Sequence, residues 1–419
     1  MRRRLTTARA ALVRAAFAIG RLWPLRPRVL LATAHADRLE GNLAAIQAGI
    51  DRDLPGADVV ALAHRVRPGL SGALLAAGDA LAAGWQLARA SLVVVDDYFF
   101  PLEVIRKRPG TRAVQAWHAC GAFKRFGYSV ADKGFGADDA SLAAYPIHAN
   151  YDLCLVSAER FAPFYAEAFR QPLERFTARL GIPRTDVLVD PVARAAAEAR
   201  VRARYRLPAG KRVVLYAPTF RGRRITEARS PLDLDIEVMR TALAPDHVLL
   251  VRAHPFVTTR LSAGEAGTEP HGAGSRAGHG PADPGEGGSN AGFVIDVSGW
   301  PELNELLLVS DVLVTDYSSA IYEFALLGRP IAFLTPDRAA YEDERGFYLR
   351  FPEDLPGPAF GTTAALAAWL RSGPFDVERV RQFAARSFDV ADGHATARFV
   401  DQVVRPAVAG ASPSRPTVS

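Results

Sequence analysis

The chain has 419 residues, 49% hydrophobic and 23% charged, enough for two or three domains with real cores, and its 34 glycines and 29 prolines exclude a collagenous, mucin-like or wholly disordered chain. Two cysteines, Cys120 and Cys154, can neither staple a secreted scaffold nor form a C-x-x-C metal knuckle. The formal net charge is +6, but eight arginines and no acid precede Asp37; with these set aside the remainder nets −2, which excludes the broad basic face of a nucleic-acid-binding protein.

Residues 1–27 read as a basic amphipathic leader. At about 100° per residue, Leu5, Ala8, Leu12, Ala16, Ile19 and Trp23 share one face, with Arg3, Arg14 and Arg21 nearly opposite. Arginines 9, 14 and 21 interrupt the ~20 apolar residues a bilayer span needs, and Arg14 breaks the apolar stretch of a cleaved signal. The expected role is an interfacial anchor on an anionic membrane surface, ended by Pro24 and Pro27; the competing reading is a helix packed on its own domain.

An α/β rhythm follows. Strands are predicted at 28–33, 58–63, 91–95, just before Trp117, and at 152–156, with helices at 41–51, 71–90 and 159–170. A second set of strands falls at 212–217, 247–251, 293–297, 311–315 and 330–334. Short apolar runs alternating with helical patterns imply two doubly wound α/β domains with parallel sheets, one over 28–190 and one over 200–405, joined near 186–205. Residues 262–292, rich in glycine, alanine, proline and glutamate, read as a disordered insert, and 406–419 as a disordered tail. The insert's His271 and His279 lack a fixed ligand spacing, so no metal is expected there.

In open α/β sheets ligands bind at the carboxyl ends of strands. Four such loops carry chemistry: Gln115 to Lys124 with His118, Tyr216-Ala-Pro218-Thr219-Phe-Arg221, Val251-Arg252-Ala-His254-Pro255, and Thr315-Asp-Tyr-Ser318-Ser319. Arg252 and His254, two apart, point the same way and suit one anionic group. The two serines precede a predicted helix at 320–327, where hydroxyls and backbone N–H groups favour phosphate. Each has a structural alternative: a histidine after a strand can serve as a fold-holding hydrogen bonder, and Ser-Ser as a cap. Their convergence on phosphate chemistry is what favours function. Walker A, G-x-G-x-x-G and H-E-x-x-H patterns are all missing, and Asp233-Leu-Asp235 reads as helix-start chemistry.

Taken in order, Trp117-His118 with Gly121 and Lys124, Gly181-Ile-Pro-Arg184-Thr-Asp186, the Tyr216 to Arg221 loop, Arg252-Ala-His254-Pro255, Ser310 to Ser319, Arg345-Gly-Phe-Tyr348 and Pro352 to Pro358 resemble the CDP-glycerol glycerophosphotransferase family of teichoic acid synthesis. The resemblance spans about residues 90–400. It implies a GT-B fold of two Rossmann-like domains facing across a cleft, the second holding a CDP-alcohol, on the cytoplasmic membrane face. It also implies the reaction, in which a hydroxyl of a lipid-linked acceptor attacks the β-phosphorus of CDP-glycerol, or of a related CDP-polyol, and CMP leaves. By motif position His118 would be the base and His254, with Arg252, would neutralise the phosphates. Trp117, Lys124, Arg184, Pro218, Thr219, Arg221, Ser318, Ser319 and Glu323 would complete the substrate site. No cofactor and no metal is called for. The rival readings are a GT-B glycosyltransferase using a nucleotide sugar and a non-catalytic, membrane-bound nucleotide-binding protein.

Overall fold

The computed structural model describes residues 2–65, 69–133, 139–221, 233–253 and 292–409. The expected insert and its histidines, together with His254 and residues 410–419, lie outside the described residues.

Two six-stranded sheets form the frame. The first runs in the order β2 (Asp58–Ala63), β1 (Arg26–Thr33), β3 (Ala90–Val95), β4 (Arg112–Gln115), β5 (Leu153–Leu155), β6 (Phe176–Thr177). The second runs β12 (Ala359–Phe360), β11 (Ile331–Leu334), β10 (Val312–Thr315), β7 (Arg212–Tyr216), β8 (His247–Val251), β9 (Val294–Asp296). Neighbouring strands pair in parallel throughout. The reason is written in the strands: every residue of β3 is buried, as a strand covered on both faces requires. In β7 the faces alternate, Val213 and Leu215 joining the core shared with the first domain and Val214 and Tyr216 packing on Met239 and Leu249 behind. Strand order reverses between β1 and β3 and again between β7 and β10, which opens a crevice at the carboxyl edge of each sheet.

The leader forms a helix, α1 (Arg2–Gly20), that packs on its own domain and still turns Leu5, Ile19 and Trp23 of the expected face outward. Ala10, Val13, Ala16 and Phe17 are buried against α3 (Gly69–Leu87), whereas Leu5, Ile19, Leu22 and Trp23 are exposed. Small residues decide this. A Cβ on Gly84 would stand 2.3 Å from the Val13 carbonyl, and one on Gly20 would stand 2.7 Å from Ala88 Cβ, so the two backbones approach as closely as only glycine and alanine allow. A hydrophobicity wheel undervalues such a face. No helix among the described residues is long and apolar enough to cross a membrane.

The end of the chain also departs from the expected division at 405. Helices from Ala395 onward return to the first domain, packing on α2 (Gly41–Asp53), β1 and β3, and the segment read as a tail is helical through Ala409. Asp186, in the linker, caps this return by accepting from the N–H groups of Ala395 (3.0 Å) and Thr396 (2.8 Å). Across the cleft, Tyr348 N donates to Phe123 O (2.9 Å) and Arg125 N to Gly346 O (3.1 Å), while Gly121, at φ 62°, lets its backbone lie against the Tyr322 ring, 2.2 Å from where a Cβ would be.

Candidate active site

The carboxyl edge of the first sheet is built around a strained turn. Trp117 adopts φ 55°, a left-handed conformation that costs a non-glycine residue about 1–3 kcal/mol. Two buried amides hold it. Gln115 Oε1 accepts from Trp117 N (2.8 Å), and Asn42 Nδ2 donates to the carbonyls of Ala116 and Trp117 (2.8 Å each). The Trp117 ring turns into the core among Phe126, His148 and Phe169, leaving His118 to face the cleft.

His118 stands at the end of this turn, near His35 and Asp97, with its side chain 46% exposed. Its Nδ1 is 3.2 Å from the Asp96 carbonyl, which only an N–H can satisfy, so the lone pair belongs to Nε2. Burial depresses its pKa, Asp97 partly restores it, and His35 lowers it again, so the neutral, proton-accepting form is favoured at neutral pH. His35 Nε2 reaches Asp97 Oδ2 at 3.0 Å, and the same oxygen is 4.0 Å from His118 Nδ1. These three side chains are the one group among the described residues with metal-ligand spacing. Asp96 is buried, its Oδ1 has no hydrogen-bond partner, and burial pushes its carboxyl up to about 7.

Arg184 ties this edge to the second domain. Its Nη1 donates to the His118 carbonyl (2.6 Å), its Nη2 lies 3.4 Å from Glu323 Oε1, its backbone N donates to Asn42 Oδ1 (2.9 Å), and its carbonyl accepts from Asn304 (2.8 Å). Burial works against its charge, but Glu323 and then Glu302 and Asp96 outweigh that, so its pKa is raised. Arg184 Nε is nevertheless buried without a partner. Nearby Arg252 has Nη2 on the Pro301 carbonyl (3.1 Å), while its Nη1 is also buried and unpartnered. Burial pulls Arg252 down to about 10, so it remains cationic at neutral pH. Two desolvated guanidinium groups therefore keep spare donors, the chemistry an anion would need, and Arg184 is the one of them that touches the His118 backbone.

At the second crevice the groups complete one another. Asp316 accepts from Thr219 N (2.9 Å), Thr219 Oγ1 (3.1 Å) and Arg221 Nη1 (2.9 Å). Arg221 Nε donates to Asp337 (2.6 Å), which also accepts from Tyr317 OH (3.0 Å), and the guanidinium lies over the Tyr317 and Tyr341 rings. Although burial opposes its charge, Asp337 and Asp316 raise the Arg221 pKa. Pro218 is buried on this loop, and Ser318 Oγ accepts from Ala320 N (3.2 Å). Lys124 pairs with Phe347 in a short antiparallel bridge across the cleft.

The sequence matches the family described as CDP-Glycerol:Poly(glycerophosphate) glycerophosphotransferase over residues 17–272 and 279–405. The chain belongs to this family. It is 32% identical over 376 residues to the teichoic acid ribitol-phosphate primase of Bacillus spizizenii, covering 89% of this chain and 90% of that protein. It is 32% identical to the teichoic acid poly(ribitol-phosphate) polymerase of the same organism over 78% of this chain, and it spans about half, 49%, of that protein's length. The wall teichoic acid polymerase TagF has the same fold, with a TM-score of 0.72, 22% identity, and coverage of 97% of this chain and 95% of that one. This glycerophosphotransferase-family chain is thus an enzyme with a GT-B-like architecture.

Within the family frame, the structure gathers His118, Arg184, Arg252 and Glu323 at one cleft and sets Thr219 and Arg221 into a separate, self-satisfied network. Trp117 acts in this structure as a core residue, 7% exposed. Sequence reading passed over Asn42, Gln115, Asn304 and Asp316. A glutamine closing the otherwise apolar run Ala113-Val114 was the available signal for Gln115; the others act through partners remote in sequence.

Proposed function

We propose that the enzyme transfers a polyol phosphate, glycerol phosphate or ribitol phosphate, from its CDP conjugate to a hydroxyl of a lipid-linked cell-wall precursor at the cytoplasmic membrane face. The acceptor O–H gives its proton to His118 Nε2, the oxygen attacks the β-phosphorus, and the bond from that phosphorus to the oxygen bridging the α-phosphate breaks, releasing CMP. Arg252 and Arg184 carry the growing charge, a role that motif position assigns to His254 as well, and Glu323 receives a donor hydroxyl. The observation that carries this reading is the pair of buried, unpartnered guanidinium nitrogens beside a histidine whose open nitrogen is the basic one. Names of relatives bring ribitol forward as the second polyol.

Membrane attachment is supported by outward side chains of the leader, Leu5 and Ile19 on α1 and Leu22 and Trp23 just after it, with Leu74 and Leu81 of α3, and by the exposed Arg14 and Arg21. The deciding experiment measures CMP release from CDP-glycerol and CDP-ribitol with a lipid acceptor present. Release of UDP or GDP from nucleotide sugars instead would install the glycosyltransferase reading, and donor binding without CMP release the non-catalytic one. Sedimentation with anionic vesicles, with and without Arg14→Glu and Arg21→Glu, tests the attachment separately.

A further inference from the structure

Beside the His118 edge lies a cavity of about 160 Å³ that none of these roles uses. It opens at the carboxyl ends of β1 and β2 and is walled by Thr33, Asp37, Leu75, Asp79 and Phe99, with Arg9 entering from α1. Cavities near 150 Å³ accept a benzene-sized guest, so this one is too small for a nucleotide and suits a polyol or phosphate unit.

Its chemistry is mixed in an informative way. Arg9 rests on the Phe100 ring at 5.1 Å, and its Nε is buried without a hydrogen-bond partner, a cationic donor left unmatched inside a cavity. Two carboxylates face the same space. Asp79 is 3.4 Å from His64 Nδ1, and Asp37 accepts from Arg65 N (3.0 Å), while Arg65 Nε donates to the His35 carbonyl (2.9 Å). Carboxylates accept only, so beside a spare guanidinium donor they match a ligand that carries hydroxyls as well as a phosphate. At the mouth Leu75 is 55% exposed and its neighbour Leu74 is 74% exposed, on the helix that packs against α1. On the inner side, Thr33 neighbours the Asp96 carboxyl, and the Asp96 carbonyl lies 3.2 Å from His118 Nδ1. One layer of residues therefore separates the cavity from the reacting centre.

We propose that this cavity is the acceptor subsite. It takes the phosphate-bearing stem of an amphiphilic polyol-phosphate acceptor, with the phosphate on Arg9, hydroxyls on Asp37 and Asp79, and the apolar tail leaving over Leu75 and Leu74 toward the lipid surface. The inference rests on the transfer reading above and specifies where its second substrate binds.

The probes are sn-glycerol 3-phosphate and its octyl phosphodiester, titrated by calorimetry into the full-length protein with saturating CDP to occupy the donor site. Both are expected to bind, the octyl compound at least tenfold tighter. Arg9→Gln should weaken both by about ten- to a hundredfold, as loss of a charged hydrogen bond does. Leu75→Ser, at an exposed position, should remove the octyl advantage and leave the headgroup compound unchanged. Equal affinities in wild type and Arg9→Gln, no gain from the octyl chain, or an octyl gain that survives Leu75→Ser would each overturn the subsite, as would absence of binding to wild type. In turnover, Arg9→Gln should raise the acceptor KM and leave the CDP-glycerol KM alone. Failure of the parent reading looks different: wild-type protein would release no CMP from either CDP-polyol, whatever the calorimetry shows.

Discussion

The two sheets meet the cleft with edges of opposite character. At the crevice between β1 and β3 hydrogen-bonding capacity is left over: His118 is half open, Asp96 Oδ1 is unmatched, and Arg184 Nε across from it is unmatched too. At the crevice between β7 and β10, Thr219, Arg221, Asp316, Tyr317 and Asp337 use their capacity on one another. Position in the fold is the same and role is not. A completed network fixes a loop, whereas buried donors and acceptors without partners mark where a ligand supplies them.

The largest effect that would test this contrast is His118→Ala, expected to lose about 10²- to 10⁴-fold in turnover while keeping donor affinity. CMP-release rates alongside calorimetry would check it, and a fully active His118→Gln enzyme would take the base away from the first edge. Asp316→Ala should act on stability, costing about 3 kcal/mol because it removes the buried acceptor shared by Thr219 N, Thr219 Oγ1 and Arg221 Nη1 while Asp337 still pairs the cation, as a shift of the urea midpoint at constant slope. If it kept its midpoint and lost only donor binding, the second edge would be a ligand site after all.

Arg252→Ala should weaken CDP-glycerol binding by roughly 1.5–3 kcal/mol, about ten- to a hundredfold, without lowering the melting temperature, since an under-paired buried cation contributes little to folding. A smaller shift sharpens the first edge itself. The rate should fall on acidification as His118 protonates, with its midpoint below the ordinary histidine value of about 6.5 because burial depresses it. Asp97 is the neighbour that raises that pKa, so Asp97→Asn should move the acid limb to still lower pH. A limb that stayed in place would belong to another ionisation, with Asp96, pushed up to about 7, first in line.

How much of this was legible in the sequence follows from the range of the interactions. Five strands of each sheet were readable because doubly covered parallel strands are continuous apolar runs, whereas the two-residue edge strands β6 and β12 were not; the carboxyl ends pointed to His118 and Arg252, and Arg184 came only with the family resemblance. The packing face of α1 was not, because it is made of Ala10, Val13, Ala16 and Gly20, whose value lies in closeness rather than hydrophobicity. Asn42 was equally hidden: a helix-start asparagine is unremarkable until the fold sets it against the carbonyls of Ala116 and Trp117 and the N–H of Arg184.

The return of the chain at Ala395 has a mechanical consequence. Polypeptide crosses between the two sheets twice, once through the linker before β7 and once on the way back to α2, and Asp186 pins the two crossings together. The covalent joints between the sheets are thus gathered at one place and fastened to each other there. Away from that joint the backbone bonds joining Phe123 and Arg125 to Tyr348 and Gly346 are a second fastening, so any widening of the cleft at this point would have to break main-chain hydrogen bonds and not side-chain contacts alone.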